Sequence, residues 1–210
     1  MRRELAESFS LSFHPLLIPF YSLLFIFVLP IFEIQSLGSN FQTYLISMIG
    51  LITVGLPILS MRMLKRQGAI SSFYLEKREE RNLPYLLTLV YYGITAFMLV
   101  RIDFIPVVIP LIYAVSTAAT FVIMLLNLKW KISAHAMGMG SLNAIVFLMH
   151  HFYDLHLMIP MAVIMLLGII VILSRHYLNS HNWPELIYGY FIGIFISLAI
   201  GFYLLNPILG

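Results

Sequence analysis

The stretch that decides the fold is residues 104–126, FIPVVIPLIYAVSTAATFVIMLL, a run without a single charge. A helix needs about 20 predominantly apolar residues to cross the hydrocarbon core of a bilayer, so this run predicts a membrane-spanning helix. Working outward, comparable runs recur at 16–32, 41–61, 83–100, 136–152, 157–173 and 186–205. The chain therefore reads as an all-α, polytopic transmembrane helix bundle with six to seven spans. Composition agrees: 210 residues are 61% hydrophobic and only 10% charged, against about 25% charged in a soluble domain. No polar stretch is long enough to fold separately, so residues 1–210 read as a single integral membrane domain.

The connections carry the remaining information. The spans at 83–100 and 104–126 are joined only by Arg101-Ile102-Asp103, a tight turn between antiparallel helices. Seven prolines lie in or near spans, a density that membrane helices tolerate. There is no cysteine, which removes disulfides, thiolate nucleophiles and cysteine metal sites. The opening MRRELAESFSLSFH lacks the apolar run of a signal peptide and reads as an interfacial arm. Counting crossings, Arg101 is the only Lys or Arg on one membrane side, and the other eleven of twelve fall opposite. By the positive-inside rule that basic side faces the cytoplasm.

Three polar segments share that side: KREERNLP (77–84), KWKISAH (129–135) and SRHYLNSHNWPE (174–185). Two crossings separate each from the next, so parity brings them to one face. Their Lys and Arg side chains suit an anion, and Arg presents a planar fork matched to phosphate oxygens. Ser133 is placed to cap the helix that His135 enters. Ser180 or Asn182 is placed to cap the last helix, with Pro184 in its first turn. Two helix N-termini aimed at one point favour an anion. His181 and Glu185 are four residues apart, and a carboxylate on one imidazole nitrogen leaves the other as a nucleophile. His135, from a separate segment, suits a general acid. The constellation reads as phosphoryl transfer without a metal or other cofactor.

At these residues the chain resembles the type 2 phosphatidic acid phosphatase superfamily, whose fold is shared with vanadium haloperoxidases. That family's third motif is Ser-Arg, five residues, His, three residues, Asp; here it is Ser174-Arg175, five residues, His181, three residues, Glu185. The second, Pro-Ser-Gly-His, corresponds to Ile132-Ser133-Ala134-His135. The first is degenerate, a Lys/Arg cluster at 77–81 followed by Pro84. The resemblance implies a phosphatase-like core over about 77–205. It implies His181 as nucleophile, Glu185 as its orienter and His135 as acid. Arg175, Ser174, Ser133, Lys131, Lys77 and Arg81 would hold phosphate. Glu in place of Asp lengthens the orienting arm by one methylene, and Ala134 in place of Gly narrows the backbone approach.

The expected activity is thus hydrolysis of a lipid phosphate or diphosphate: phosphatidic acid, phosphatidylglycerol phosphate or a polyprenyl diphosphate. No nucleic-acid partner is expected. Two alternatives stand beside it: a lipid phosphotransferase using the same site, and a non-catalytic transporter or anion-binding membrane protein. A transporter places ionisable groups near mid-membrane, whereas here they lie at span ends. A competing cluster, HHFYDLH, gathers His150, His151, Asp154 and His156, metal-ligand types in one connection. It lies at the opposite membrane end from the three polar segments and reads as an interfacial turn.

Overall fold

A computed structural model describes residues 2–73, 75 and 77–209. Among them there are nine helices and no strand: α1 Arg3–Ser12, α2 Ile18–Val28, α3 Phe32–Gln35, α4 Ser39–Arg66, α5 Glu79–Val100, α6 Val108–Asn127, α7 Ala134–Phe152, α8 Met158–Tyr177 and α9 Trp183–Leu209. Five of these, α4, α5, α6, α8 and α9, are long and apolar enough to cross a membrane. That is consistent with an integral membrane protein and is fewer than the six to seven spans expected.

The two shortfalls have separate causes. The run at 16–32 is interrupted by Pro30, which has no N–H to continue a helix, and α2 stops at Val28. Its 11 residues reach roughly 16 Å, about half the hydrocarbon thickness. The chain beyond is tied down by amide side chains, Gln35 Nε2 donating to the Leu29 carbonyl at 2.8 Å and Gln42 Nε2 to that of Leu37 at 2.7 Å. The second case, α7, is long enough but carries His135, Ser141, Asn143, His150 and His151, which dilute its apolar character. It is also rich in buried residues, from Ala136 to Met149, so protein shields much of it.

The chain forms two compact units. The first joins the residues up to Pro19 with those from Trp130 onward; the second is Phe20–Lys129. In the second, α5 packs against α6 and α4. The Ser60 and Tyr91 hydroxyls meet at 2.7 Å. Asn127, closing α6, donates to the Arg78 carbonyl at 3.0 Å and to Asn82 Oδ1 at 2.8 Å. The helix α6 begins at Val108 rather than at 104, with Pro110 in its first turn, where a missing N–H costs nothing. α4 contains a π-helical turn at Leu51–Gly55.

In the first unit α7 packs against both α8 and α9, and α1 packs on α8. Small residues set the α7–α9 distance. A Cβ on Gly140 would stand 2.0 Å from the Tyr190 carbonyl oxygen, and one on Gly193 2.1 Å from that of Met137. Only glycine permits backbones this close, the small-residue packing characteristic of membrane helices. Ser141 Oγ then reaches across to the Gly193 carbonyl at 3.3 Å, and Asn143 Nδ2 donates to the Tyr190 hydroxyl at 3.0 Å.

Candidate active site

The close approach of α7 and α9 begins at their N-terminal ends and brings two of the polar segments together. Ser133 is the N-cap of α7, its hydroxyl accepting from the Ala136 N–H at 3.4 Å. Its own N–H donates to the Glu185 carbonyl in the first turn of α9 at 3.2 Å. Gly189 lies one turn further on, where a Cβ would stand 2.8 Å from the Ser133 carbonyl oxygen. Ser133 is fully buried, and its hydroxyl serves the cap.

The third segment is folded back on itself. α8 carries Ser174 and Arg175 in its last turn, both buried. Ser174 Oγ donates to the Ile170 carbonyl at 2.7 Å, within its own helix. Asn179 adopts a left-handed backbone, φ +53°, a conformation Asn accepts more readily than most residues. The reversal lets the Ser180 N–H donate to the Arg175 carbonyl at 3.1 Å, which sets His181 beside the end of α8.

Asn182 caps α9. Its Oδ1 accepts from the Glu185 N–H at 3.0 Å, while Glu185 Oε2 reaches back to the Asn182 N–H at 3.3 Å. This reciprocal pair is a capping box. The same carboxylate oxygen meets His181 Nδ1 at 2.8 Å. The His181 side chain is almost wholly buried and that of Glu185 largely so. A carboxylate only accepts, so Nδ1 carries the proton and the lone pair belongs to Nε2. The pair therefore forms through the reach of a cap residue, since α9 itself starts only at Trp183.

His135 enters from the first turn of α7. Its Nε2 lies 3.1 Å from the Ser10 carbonyl oxygen of α1. A carbonyl only accepts, so Nε2 is protonated and Nδ1 bears the lone pair. The His14 ring meets His135 edge to face, centroids 5.5 Å apart. The positive charge of Arg175 acts on both rings. Desolvation first and Arg175 second hold His14 down at about 4. The same causes keep His135 well below the ordinary imidazole range. Both histidines are neutral near pH 7.

Of the nine residues expected at the site, seven lie in this unit: His181, Glu185, His135, Arg175, Ser133, Ser174 and the half-buried Lys131. Lys77 and Arg81 belong to the other unit. There Lys77 is 70% exposed and pairs with Glu80 at 3.7 Å. Arg81 is buried and donates from Nε to the Leu75 carbonyl at 2.8 Å. Sequence reasoning missed His14, whose signal is faint: a histidine before a proline, in an arm remote in sequence from every motif. The HHFYDLH cluster is a packed turn. His150 Nδ1 bonds the Leu155 carbonyl, and His151 stacks on Phe147 and touches Phe152 and Phe202. Among the described residues no three His, Asp or Glu side chains gather as a metal site. No protein-family model, curated protein or solved structure matches the chain.

Proposed function

We propose that this protein is an integral membrane phosphatase that cleaves a lipid phosphate or diphosphate without a metal, through a phosphohistidine on His181. The observation that carries the reading is the buried His181–Glu185 pair at 2.8 Å, set beside Arg175 by the reversal at Asn179. In the first half-reaction His181 Nε2 attacks phosphorus, the N–P bond forms, and the bond to the leaving oxygen breaks; a diphosphate's leaving group departs as a phosphate, and a monoester's takes its proton from water. Glu185 stabilises the imidazolium that develops, and Arg175 balances charge on the phosphoryl oxygens. In the second half-reaction water attacks the phosphohistidine and releases phosphate. His135, neutral and with its lone pair on Nδ1, suits the base that takes a proton from that water.

Five apolar helices around the chain favour an amphiphile as substrate, its tail in lipid and its phosphate at the polar helix ends. The candidates are phosphatidic acid, phosphatidylglycerol phosphate and polyprenyl diphosphates. The Lys and Arg distribution favours a site on the cytoplasmic side of the cell membrane. The test is phosphate release in detergent with EDTA present, from a panel of lipid phosphates and diphosphates, comparing wild type with His181→Ala. Release by the wild type alone supports the reading. Release by both removes His181 from the chemistry, and release by neither leaves the pair as a helix cap.

A further inference from the structure

The N-terminal arm is the one element in this unit that none of the motifs covers, yet it contributes polar groups beside the histidines. α1 lays Ala6 and Ser10, four residues apart and both buried, on one face as it packs against α8. The turn after it brings His14 to the His135 ring. The Leu16 N–H donates to His14 Nδ1 at 3.3 Å. That contact fixes the neutral tautomer: the lone pair of Nδ1 is occupied, and the ring's N–H is on Nε2. The Ser10 carbonyl is spent on His135. The Ser10 hydroxyl is a separate group, buried, and finds no hydrogen-bond partner among the described residues. A buried donor without a partner costs about 1–3 kcal/mol in a native protein and calls for an occupant.

We propose that the N-terminal arm forms a wall of the phosphate site, with His14 Nε2–H and the Ser10 hydroxyl donating hydrogen bonds to the oxygens of the bound phosphoryl group. The inference rests on the phosphatase reading above. The chemistry is coherent with it. Arg175 supplies the positive charge, and neutral donors around it add direction without adding repulsion between cations. A neutral His14 next to Arg175 suits this arrangement, because an anion shared by one arginine and neutral N–H and O–H donors has its oxygens satisfied, while the Nε2–H of His135 stays on the Ser10 carbonyl. His14 transfers no proton in this scheme, since a neutral imidazole that lost its only N–H would become an anion.

The test is binding of inorganic orthovanadate, a phosphate analogue, to the full chain in detergent, followed by calorimetry. The variants are His14→Ala, His14→Gln, Ser10→Ala and His181→Ala, with thermal unfolding measured alongside. Removing one donor to a charged oxygen is expected to weaken vanadate about tenfold in His14→Ala and several-fold in Ser10→Ala. The glutamine amide keeps an N–H in the same region, so His14→Gln is expected to recover most of the loss, which a merely structural role for the ring does not explain. Binding by wild type that is unchanged in His14→Ala and Ser10→Ala overturns the inference and leaves the phosphatase reading standing. Absence of vanadate binding in the folded wild type overturns both. If His14→Ala fails to fold, Ser10→Ala and His14→Gln decide the matter alone.

Discussion

Replacing Glu185 by Gln separates the two roles of one carboxylate. Glu185 Oε2 accepts from His181 Nδ1 at 2.8 Å and from the Asn182 N–H at 3.3 Å. The amide oxygen of Gln accepts either bond, and the reciprocal bond from the Glu185 N–H to Asn182 Oδ1 needs no side chain at 185. The cap therefore survives, and the stability loss is expected to stay under about 1 kcal/mol. What disappears is the negative charge that, in the proposed mechanism, faces an imidazole made cationic by attack on phosphorus. A hydrogen bond to a charged partner exceeds a neutral one by about 1–2 kcal/mol. In this buried setting the expected drop in kcat is therefore about 10- to 100-fold. The assay pairs phosphate release in detergent with thermal unfolding of the same preparations. Wild-type kcat in Glu185→Gln would falsify the orienting role. A loss of kcat matched by loss of fold would reduce Glu185 to a cap.

The other expectations concern neighbouring parts of the molecule. Arg175→Lys is expected to lower kcat/KM by at least tenfold while the protein still folds, because an ammonium does not reproduce the guanidinium fork; steady-state kinetics check it. Folded-state depression of His14 from 6.5 to about 4 makes the unfolded chain bind more protons. Stability should then be full above about pH 6.5 and fall as pH drops towards 4, by up to about 3 kcal/mol, less where the ring's accessible edge is screened. His14→Gln should flatten that slope in melts taken across this range. Gly193→Ala forces a Cβ to 2.1 Å from a backbone oxygen and should cost at least about 2 kcal/mol, whereas Gly38→Ala, with open space around it, should be close to neutral in the same melts. Neutral His135 is poorly suited to protonate a departing alkoxide, while a departing phosphate, with a second pKa of about 6, needs little help. Diphosphates should therefore turn over faster than phosphomonoesters in the substrate panel.

The legible parts of this molecule were those governed by local rules. Ser133 as a cap, Pro184 in a first turn and the pairing of His181 with Glu185 all follow from residue type and spacing, and the structure contains each. The route to that last pair was less legible. Residues four apart ordinarily meet on one face of a helix, but here the contact is made by a carboxylate reaching back over the cap. The expected six to seven spans stand against five long apolar helices, and the difference comes from reading hydropathy alone. That reading took no account of Pro30 as a stop, nor of polar side chains along a helix shielded by protein. Gly140 meets the Tyr190 backbone, a close approach that no hydropathy pattern reveals. His14 was out of reach, because its partner His135 is more than a hundred residues away and no periodicity links an arm to a distant helix start. Arg81 was legible only as a member of a charge run, and spacing did not reveal that its Nε donates to the Leu75 carbonyl.

The composition of the first unit, residues up to Pro19 joined with those from Trp130 onward, has a consequence for biogenesis. A chain made from its N-terminus delivers α1 and His14 first, then the whole of the second unit, and only at the end the helices α7, α8 and α9. The contact of His14 with His135 waits until the second unit has been synthesised. α9, which supplies Glu185 and the close glycine contacts, follows α7 and α8. His14 is thus separated from His135, Arg175 and Glu185 by the order of translation. Ribosome-stalled or prematurely terminated chains lacking α9 lack both the Glu185 carboxylate that meets His181 and the glycine that meets the Met137 backbone, however well their earlier helices insert. The first unit therefore closes only after α7, α8 and α9 have followed the second unit in the order of synthesis.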